Sequence, residues 1–184
     1  YSVNKQTTKS KMESFWDTNL DTNKGKTVVE IIKEISLGKI KGLYVQGENP
    51  AMSDPDQIHS RKALAKLEHL VVQDIFMTET AWNADVILPA TAHAEKTGTY
   101  TNTNRQIQIG RAVVEPPNKV RQDWWIIQEI AKRMGLGWDY KSPKDIFDEM
   151  KLVMPSLDNI SWERLEKDNH VTYPVKSELI PGED

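Results

Sequence analysis

Residues 70–89 read LVVQDIFMTETAWNADVILP, and this stretch decides the fold class of the chain. It contains two short apolar runs, 70–73 and 86–88, separated by a segment in which residues 78–83 suit a short helix. Runs this short, and apolar at nearly every position, are typical of strands in a parallel sheet that is covered on both faces. The stretch therefore predicts two buried strands joined by a helical connection.

A capped amphipathic helix is predicted upstream, over residues 28–37. Thr27 can accept a hydrogen bond from the third helical residue, Glu30, whose carboxylate can reach back to the Thr27 backbone in a capping box. The apolar residues that follow repeat with the helical period and form one stripe. Gly38 stands where a helix of this length would end, at a position that favours glycine.

Between this helix and the opening stretch lies one further strand and one further helix. Residues 42–46, GLYVQ, form a short apolar strand, and a helix is predicted over 57–67, with Asp54 or Asp56 at its start. The alternation of helices and strands predicts an α/β fold. We expect a doubly wound, mostly parallel sheet with helices on both faces.

The second half of the chain is predicted to be mainly helical. A strand or extended arm is expected over residues 107–114, followed by a proline break at 115–117. Three helices are expected after it, over 123–134, 143–153 and 161–167. Asp123 opens the first of these helices and Gly135 closes it.

The expected organisation is one domain with two flanking segments. Residues 1–25 show no clear period and predict an extended lead-in arm, whereas 26–153 form the α/β domain and 154–184 a C-terminal helix and linker. The chain starts without methionine and stops without a closing element. We therefore expect an internal piece of a longer polypeptide.

Composition excludes several classes of function. The 184 residues carry a net charge of −3, which disfavours a general nucleic-acid binder, and no apolar run reaches the roughly 18 residues of a membrane span. The chain has no cysteine, so it predicts no disulfide, no iron–sulfur ligation and no cysteine nucleophile. The four histidines do not have metal-binding spacing: His59, His69, His93 and His170. Neither a GxGxxG nor a P-loop motif occurs. No catalytic or metal-binding residue is predicted.

Polar side chains follow the predicted strands, at the edge where ligands bind in open parallel sheets. Asn49 follows the first strand, and Gln73 and Asp74 follow the second. The Asp74 carboxylate could accept two hydrogen bonds from guanine N1 and N2, while the two amides offer donors and acceptors. Local alternatives remain open, because Asp74 could be a helix cap and Asn49 a turn residue.

The third strand is followed by a long polar segment. Residues 95–105, EKTGTYTNTNR, match neither a hairpin loop nor a helix, and a long polar loop at a strand end predicts a ligand-binding loop. Lys96 and Arg105 could hold phosphate there. Lys96 could equally be a solvated surface lysine.

Three runs of the sequence resemble a known family: GENPAMSDPD (47–56), LVVQDIFMTETAWNADVILPATAHAEKTGTYTNTNRQIQ (70–108) and PPNKVRQDWWIIQEIAKRMG (116–135). They resemble the large subunit of molybdopterin oxidoreductases of the dimethyl sulfoxide reductase family, and within it the formate dehydrogenase alpha subunit. The resemblance covers residues 28–153. Nitrate reductases of the same family share much of the pattern and are the nearest alternative.

The resemblance implies a bis(molybdopterin guanine dinucleotide) cofactor, with molybdenum or tungsten, held between several domains. This piece resembles the domain that holds one of the two guanine dinucleotides, with no cofactor expected in the piece alone. The family's cofactor-binding positions correspond to seven residues here: Asn49, Gln73, Asp74, Lys96, Asn102, Arg105 and Asp123.

The absence of cysteine departs from the family pattern, since formate dehydrogenases hold the metal through a cysteine or selenocysteine and carry a cysteine-ligated iron–sulfur cluster. Those parts are expected outside this chain. The longer enzyme is then expected to oxidise formate to carbon dioxide in the cytoplasm. Its expected partners are other domains of the same chain and electron-transfer subunits, without nucleic acid or membrane insertion.

Two alternatives of another class remain. One is a non-catalytic structural relative, as in the large subunit of complex I, which should have lost the polar strand-end residues. The other is a free-standing nucleotide-binding module.

Overall fold

A computed structural model describes residues 5–21, 23–117 and 119–177. Its helices are α1 (Gln6–Trp16), α2 (Val28–Ser36), α3 (Pro50–Ser53), α4 (Gln57–Leu64), α5 (Asp123–Arg133), α6 (Pro143–Val153) and α7 (Trp162–Asp168). Its strands are β1 (Gly42–Gln46), β2 (His69–Asp74), β3 (Val86–Pro89), β4 (Gly98–Thr101), β5 (Gln106–Gly110) and β6 (His170–Thr172). Short 3₁₀ turns span Ala81–Asn83, His93–Glu95 and Pro155–Leu157.

The chain folds into two compact units, each assembled from separate stretches of sequence. The parallel-sheet unit comprises Gly25–Ala92 and Glu115–Met134. The hairpin unit comprises Tyr1–Lys24, His93–Val114 and Gly135–Asp184. This division differs from the predicted boundaries at 25/26 and 153/154, because residues 93–114 share a core with the C-terminal helices.

The parallel-sheet unit has the predicted α/β architecture. Strands β1, β2 and β3 lie side by side in that order, and both pairs are parallel. Central strand β2 provides the most buried side chains, Leu70 and Val72, which pack with Val45 and Ala81. The outer strands of the sheet are only partly covered by the rest of the protein, and Tyr44 on β1 is 40% exposed.

The capping box of helix α2 confirms the prediction made at Thr27. The Thr27 hydroxyl accepts from the Glu30 N–H at 3.3 Å, and a Glu30 carboxylate oxygen accepts from the Thr27 N–H at 2.7 Å. The same backbone hydrogen bond lowers the pKa of Glu30. Gly38 has φ +72°, the left-handed conformation in which a helix commonly ends. The local sequence therefore defines both ends of the helix.

Helix α4 settles the choice between two predicted caps. Asp56 accepts a hydrogen bond from the His59 N–H at 3.0 Å, so Asp56 is the cap. The helix ends at Leu64, three residues before the predicted end. The preceding loop contains the short helix α3, which the sequence did not predict and which begins at Pro50, a residue favoured at the first helical position.

The segment predicted as a long polar loop is instead a β-hairpin. Strands β4 and β5 pair antiparallel, and the turn between them is closed by Asn102, whose side-chain oxygen accepts from the Gln106 N–H at 2.9 Å. Arg105 takes φ +66° in this turn. The prediction that residues 95–105 do not form a hairpin was wrong, since threonine-rich segments suit strands and asparagine suits the turn.

The prediction of an extended arm over residues 1–25 was also wrong. Helix α1 occupies most of the described part of this segment, with Thr8 and Met12 buried. The Lys11 ammonium donates to the carbonyl of Val153 at 3.1 Å, which attaches α1 to the end of α6. With so few buried positions the helix has a weak sequence period, so tertiary contacts such as those with α6 are needed to stabilise it.

The core of the hairpin unit lies between the antiparallel sheet β4–β5–β6 and the helices α6 and α7. Its buried members are Ile107, Ile109, Phe147, Leu157, Ile160, Trp162, Leu165, Val171 and Val175. Among the described residues, no helix has both the length and the apolar character needed to cross a membrane.

Candidate functional site

The carboxyl ends of the three parallel strands form one edge of the sheet. Gly47 directly follows β1, and its N–H donates to the Gln73 carbonyl at 2.9 Å, which extends the strand pairing by one step. Gly47 takes φ +63°, and a Cβ added there would have open space around it. Glycine suits this conformation, and it lets the chain turn away from the edge without covering it.

Asn49 joins the loops that follow β1 and β2. Its side-chain oxygen accepts from the Thr80 N–H at 3.2 Å and from the Thr80 hydroxyl at 2.8 Å. Its amide nitrogen donates to a Glu79 carboxylate oxygen at 2.8 Å, a contact that is the largest cause lowering the pKa of Glu79. Asn49 therefore holds the loop after β1 to the segment after β2 through contacts within the chain.

Substituting Asn49 by alanine is expected to lower the free energy of unfolding by about 1–3 kcal/mol, because the buried Thr80 loses its hydrogen-bond acceptor. Urea denaturation measures the change. Asn83→Ala is the matched control, since the side-chain amide of the exposed Asn83 donates one hydrogen bond, to the Glu79 carbonyl. Equal losses in the two variants would contradict the supporting role of Asn49.

Gln73 is fully buried, and both ends of its amide are engaged. Its oxygen accepts from the Tyr44 hydroxyl, and its nitrogen donates to a carboxylate oxygen of Asp123 at 2.7 Å. These contacts connect β1, β2 and α5. The structure thus shows the side chain of Gln73 bonded within the protein.

Asp74 ends the central strand with a half-buried carboxylate. One of its oxygens accepts from the Phe76 N–H at 3.0 Å, which stabilises the turn after the strand. Across residues 5–21, 23–117 and 119–177, no other hydrogen bond or ion pair engages this carboxylate. One carboxylate oxygen is therefore available at the strand end.

Asp123 is the first residue of α5 and is half-buried. Successive side chains of a strand point to opposite faces, so Asp123 lies on the face of Gln73 and Asp74 belongs to the other face. The two carboxylates flank the carboxyl edge of the sheet.

Thr91, two residues beyond β3, was missed in the sequence. Its side chain is 1% exposed, and its hydroxyl has no hydrogen-bond partner among the described residues. Its N–H donates to the Arg121 carbonyl at 3.1 Å, two residues before Asp123. Buried hydroxyls are nearly always hydrogen-bonded, so this one suits a contact with a bound ligand. In the sequence, the position of Thr91 just after a predicted strand is the one feature that could have identified it as a candidate site residue.

The seven predicted residues are divided between the units. Asn49, Gln73, Asp74 and Asp123 belong to the parallel-sheet unit, and Lys96, Asn102 and Arg105 belong to the hairpin unit. The side chain of Asn102 stabilises its own turn, and the exposed Arg105 accepts from the Tyr173 N–H at 3.2 Å through its carbonyl. In the described part of the chain no group of three or more histidine, aspartate or glutamate residues could hold a metal ion.

The edge of the parallel-sheet unit fits a nucleotide chemically. Two carboxylates offer acceptors for the N–H groups of a guanine and the hydroxyls of a ribose. The unpartnered Thr91 hydroxyl and the open turn at Gly47 add a polar contact and space. This donor and acceptor set matches the guanine nucleotide half of the cofactor expected from the sequence.

Comparison with known proteins gives consistent results. The model of the molybdopterin oxidoreductase family matches residues 3–133. The chain is 49% identical to the F420-dependent formate dehydrogenase subunit alpha of Methanocaldococcus jannaschii, over 92% of this chain and 25% of that protein. It is 41% identical to the F420-dependent formate dehydrogenase 2 subunit alpha of Methanococcus maripaludis, over 94% of this chain and 26% of that protein.

A solved structure supports the fold. Acetylene hydratase from Pelobacter acetylenicus superposes with a TM-score of 0.66 at 22% identity, over 91% of this chain and 24% of that one. The chain spans about a quarter of the length of these relatives.

Proposed function

The chain belongs to the molybdopterin oxidoreductase family, and from this premise we propose that it holds one guanine nucleotide of the cofactor in a formate dehydrogenase alpha subunit. The observation that carries the proposal is the available carboxylate oxygen of Asp74 at the end of the central strand. A polar group left available at this edge is typical of ligand-binding α/β sheets.

Asp74 is the residue that recognises the base. Its carboxylate accepts hydrogen bonds from N1–H and N2–H of guanine, a pairing that adenine lacks because its N1 is an acceptor. The hydrogen bond from Phe76 holds the carboxylate in place at the strand end. The site is therefore specific for guanine over adenine, because the acceptor N1 of adenine would face the acceptor oxygen of Asp74.

Asp123 and Thr91 bind the ribose of the nucleotide. A carboxylate can accept from the hydroxyls of a ribose, as acidic residues do in dinucleotide-binding sheets. Asp123 is held for this by Gln73, and the buried Thr91 hydroxyl supplies a further polar contact. Asn49 supports the surrounding loops.

Lys96 and Arg105 are proposed for phosphate from their family positions and their cationic side chains, and Asn102, whose side chain holds the turn between β4 and β5, from its family position alone. Cationic side chains are the usual partners of a pyrophosphate. Each of these roles is a proposal made from the family position and the chemistry of the side chain.

When bound, the molybdopterin group with its molybdenum or tungsten supplies the redox chemistry by which the longer enzyme oxidises formate to carbon dioxide. The residues of this chain bind and orient the nucleotide, and they contribute no catalytic side chain. This chain contains no cysteine, so a cysteine ligand to the metal and a cysteine-ligated iron–sulfur cluster would have to come from other parts of the longer enzyme. Electron-transfer subunits are proposed as its partners.

Titration calorimetry with GDP, IDP and ADP tests the proposal. GDP is expected to bind more tightly than IDP, which lacks the N2 amino group, and ADP is expected to bind most weakly. One hydrogen bond to a charged group corresponds to an affinity difference of about 10-fold or more. Equal affinities for GDP and ADP would contradict base recognition at this edge.

A further inference from the structure

The amide of Gln73 connects Tyr44 to Asp123 in one defined direction. The Tyr44 hydroxyl donates to the amide oxygen, and the amide nitrogen donates to the Asp123 carboxylate. An amide has one accepting end and one donating end. The Asp123 carboxylate can only accept, so the amide nitrogen faces Asp123, and the amide oxygen faces the Tyr44 hydroxyl, which is its donor. In the opposite orientation, two oxygens would face each other across the Gln73–Asp123 contact.

Tyr44 is suited to remain a donor. Partial burial raises the pKa of its phenol, and the negative charge of Asp123 raises it further. The hydroxyl is therefore protonated at neutral pH and well above it. The Tyr44 hydroxyl can therefore donate a hydrogen bond to Gln73 at any pH at which binding would be measured.

Burial makes the Gln73 amide sensitive to the loss of either partner. Gln73 is 0% exposed, so water cannot replace a missing hydrogen-bond partner without a local opening of the structure. The amide also bridges two strands and the start of α5. Changing the hydroxyl on β1 should therefore affect the carboxylate on α5.

We propose that Tyr44 is a positioning residue for Asp123, acting through the amide of Gln73, and that it sets the affinity for the ribose hydroxyls of the nucleotide. This inference rests on the proposed function for its ligand. It assigns a role in ribose recognition to a residue in the middle of strand β1, two residues before the strand end.

Tyr44→Phe is the decisive variant, since it removes one hydroxyl and keeps the ring. In ligand-free protein, the NMR signals of the Gln73 side-chain NH₂ are expected to shift or broaden, because the buried amide oxygen loses its hydrogen-bond donor. Affinity for GDP is expected to fall about 2–10-fold, the effect of one neutral hydrogen bond. The affinity gap between GDP and 2′,3′-dideoxy-GDP should shrink by the same factor, whereas the gap between GDP and IDP should persist.

A double-mutant cycle shows whether Tyr44 acts through Asp123. In the Asp123→Asn background, Tyr44→Phe should cause no further loss of the ribose-dependent gap, because the carboxylate that it positions is gone. Tyr140→Phe is the matched control. It removes a phenol that donates to Glu149 at 2.6 Å in the hairpin unit, and it should leave both gaps unchanged.

The outcomes separate the inference from the proposed function. Unchanged Gln73 amide signals, an unchanged ribose gap in Tyr44→Phe, or additive losses in the cycle would each overturn the role of Tyr44. If the wild-type GDP–IDP gap persists in that case, base recognition by Asp74 stands. If the wild-type protein shows neither gap, the proposed function fails and this inference fails with it.

Discussion

Substituting Asp74 by asparagine is expected to weaken GDP binding by about 10–150-fold, the loss of a hydrogen-bonded charged group. The asparagine oxygen can still accept from the Phe76 N–H, so the turn after β2 should persist. The second carboxylate oxygen becomes an amide group that opposes the N–H groups of guanine. Calorimetric titration of GDP and IDP measures the loss, and the preference for GDP over IDP should disappear.

Asp85→Asn provides the matched control for this substitution. Asp85 precedes β3 at the opposite edge of the same sheet, where its carboxylate accepts from the Leu70 N–H at 2.7 Å. An asparagine can keep that hydrogen bond. GDP affinity should remain within about 2-fold of wild type, as for an ordinary surface substitution. A comparable loss in both variants would show that net charge, and not Asp74 itself, controls binding.

Phe147→Ala is expected to cause the largest loss of stability, about 3–5 kcal/mol. Phe147 is 2% exposed and packs edge-to-face against Trp162, with ring centroids 6.2 Å apart. Its removal leaves a cavity between α6, α7 and the antiparallel sheet. Chemical denaturation gives the total loss, and amide hydrogen exchange at Ile107 and Leu165 localises it to the hairpin unit.

Leu152→Ala on the same helix separates burial from helix propensity. Leu152 is 66% exposed, so its truncation should change the free energy of unfolding by no more than about 0.5 kcal/mol. A loss at Leu152 as large as that at Phe147 would contradict the assigned core. The comparison matters for function because the hairpin that carries Arg105, and that Lys96 directly precedes, packs on this core.

The parallel-sheet elements could be predicted because their signals are local. The capping box at Thr27 and the short apolar runs each depend on a few neighbouring residues, and the structure confirms the helix and all three strands. The rule that ligands bind at the carboxyl ends of strands also needs no long-range information. It led to Asp74, whose carboxylate is available at the strand end.

The missed elements depend on contacts between distant parts of the sequence. Threonine and asparagine in the polar segment suit a hairpin, but strand β5 also pairs with β6, which lies more than 60 positions later, and this partner could not be read from the segment itself. Helix α1 buries few residues and is attached to the chain near Val153. For the same reason the division into two units could not be predicted, since segments from three places in the sequence form the hairpin unit.

At the site, residue types could be predicted but not their bonding. Gln73 was expected to face the ligand, whereas its amide is bonded to Tyr44 and Asp123. Tyr44 lies in the middle of β1 and Thr91 beyond β3, and neither shows its role without the packing of α5. A linear pattern reveals which side chains reach an edge, and only the folded chain shows which of their atoms remain available.

The most direct test of the account is an amide NMR titration of the chain with GDP. Saturable shifts are expected to cluster at the carboxyl edge of the parallel sheet, at Gly47, Asp74, Thr91 and Asp123, with Asp85 at the opposite edge unaffected. The absence of shifts at saturating GDP, or shifts confined to residues away from that edge, would contradict the claim that this edge holds a guanine nucleotide.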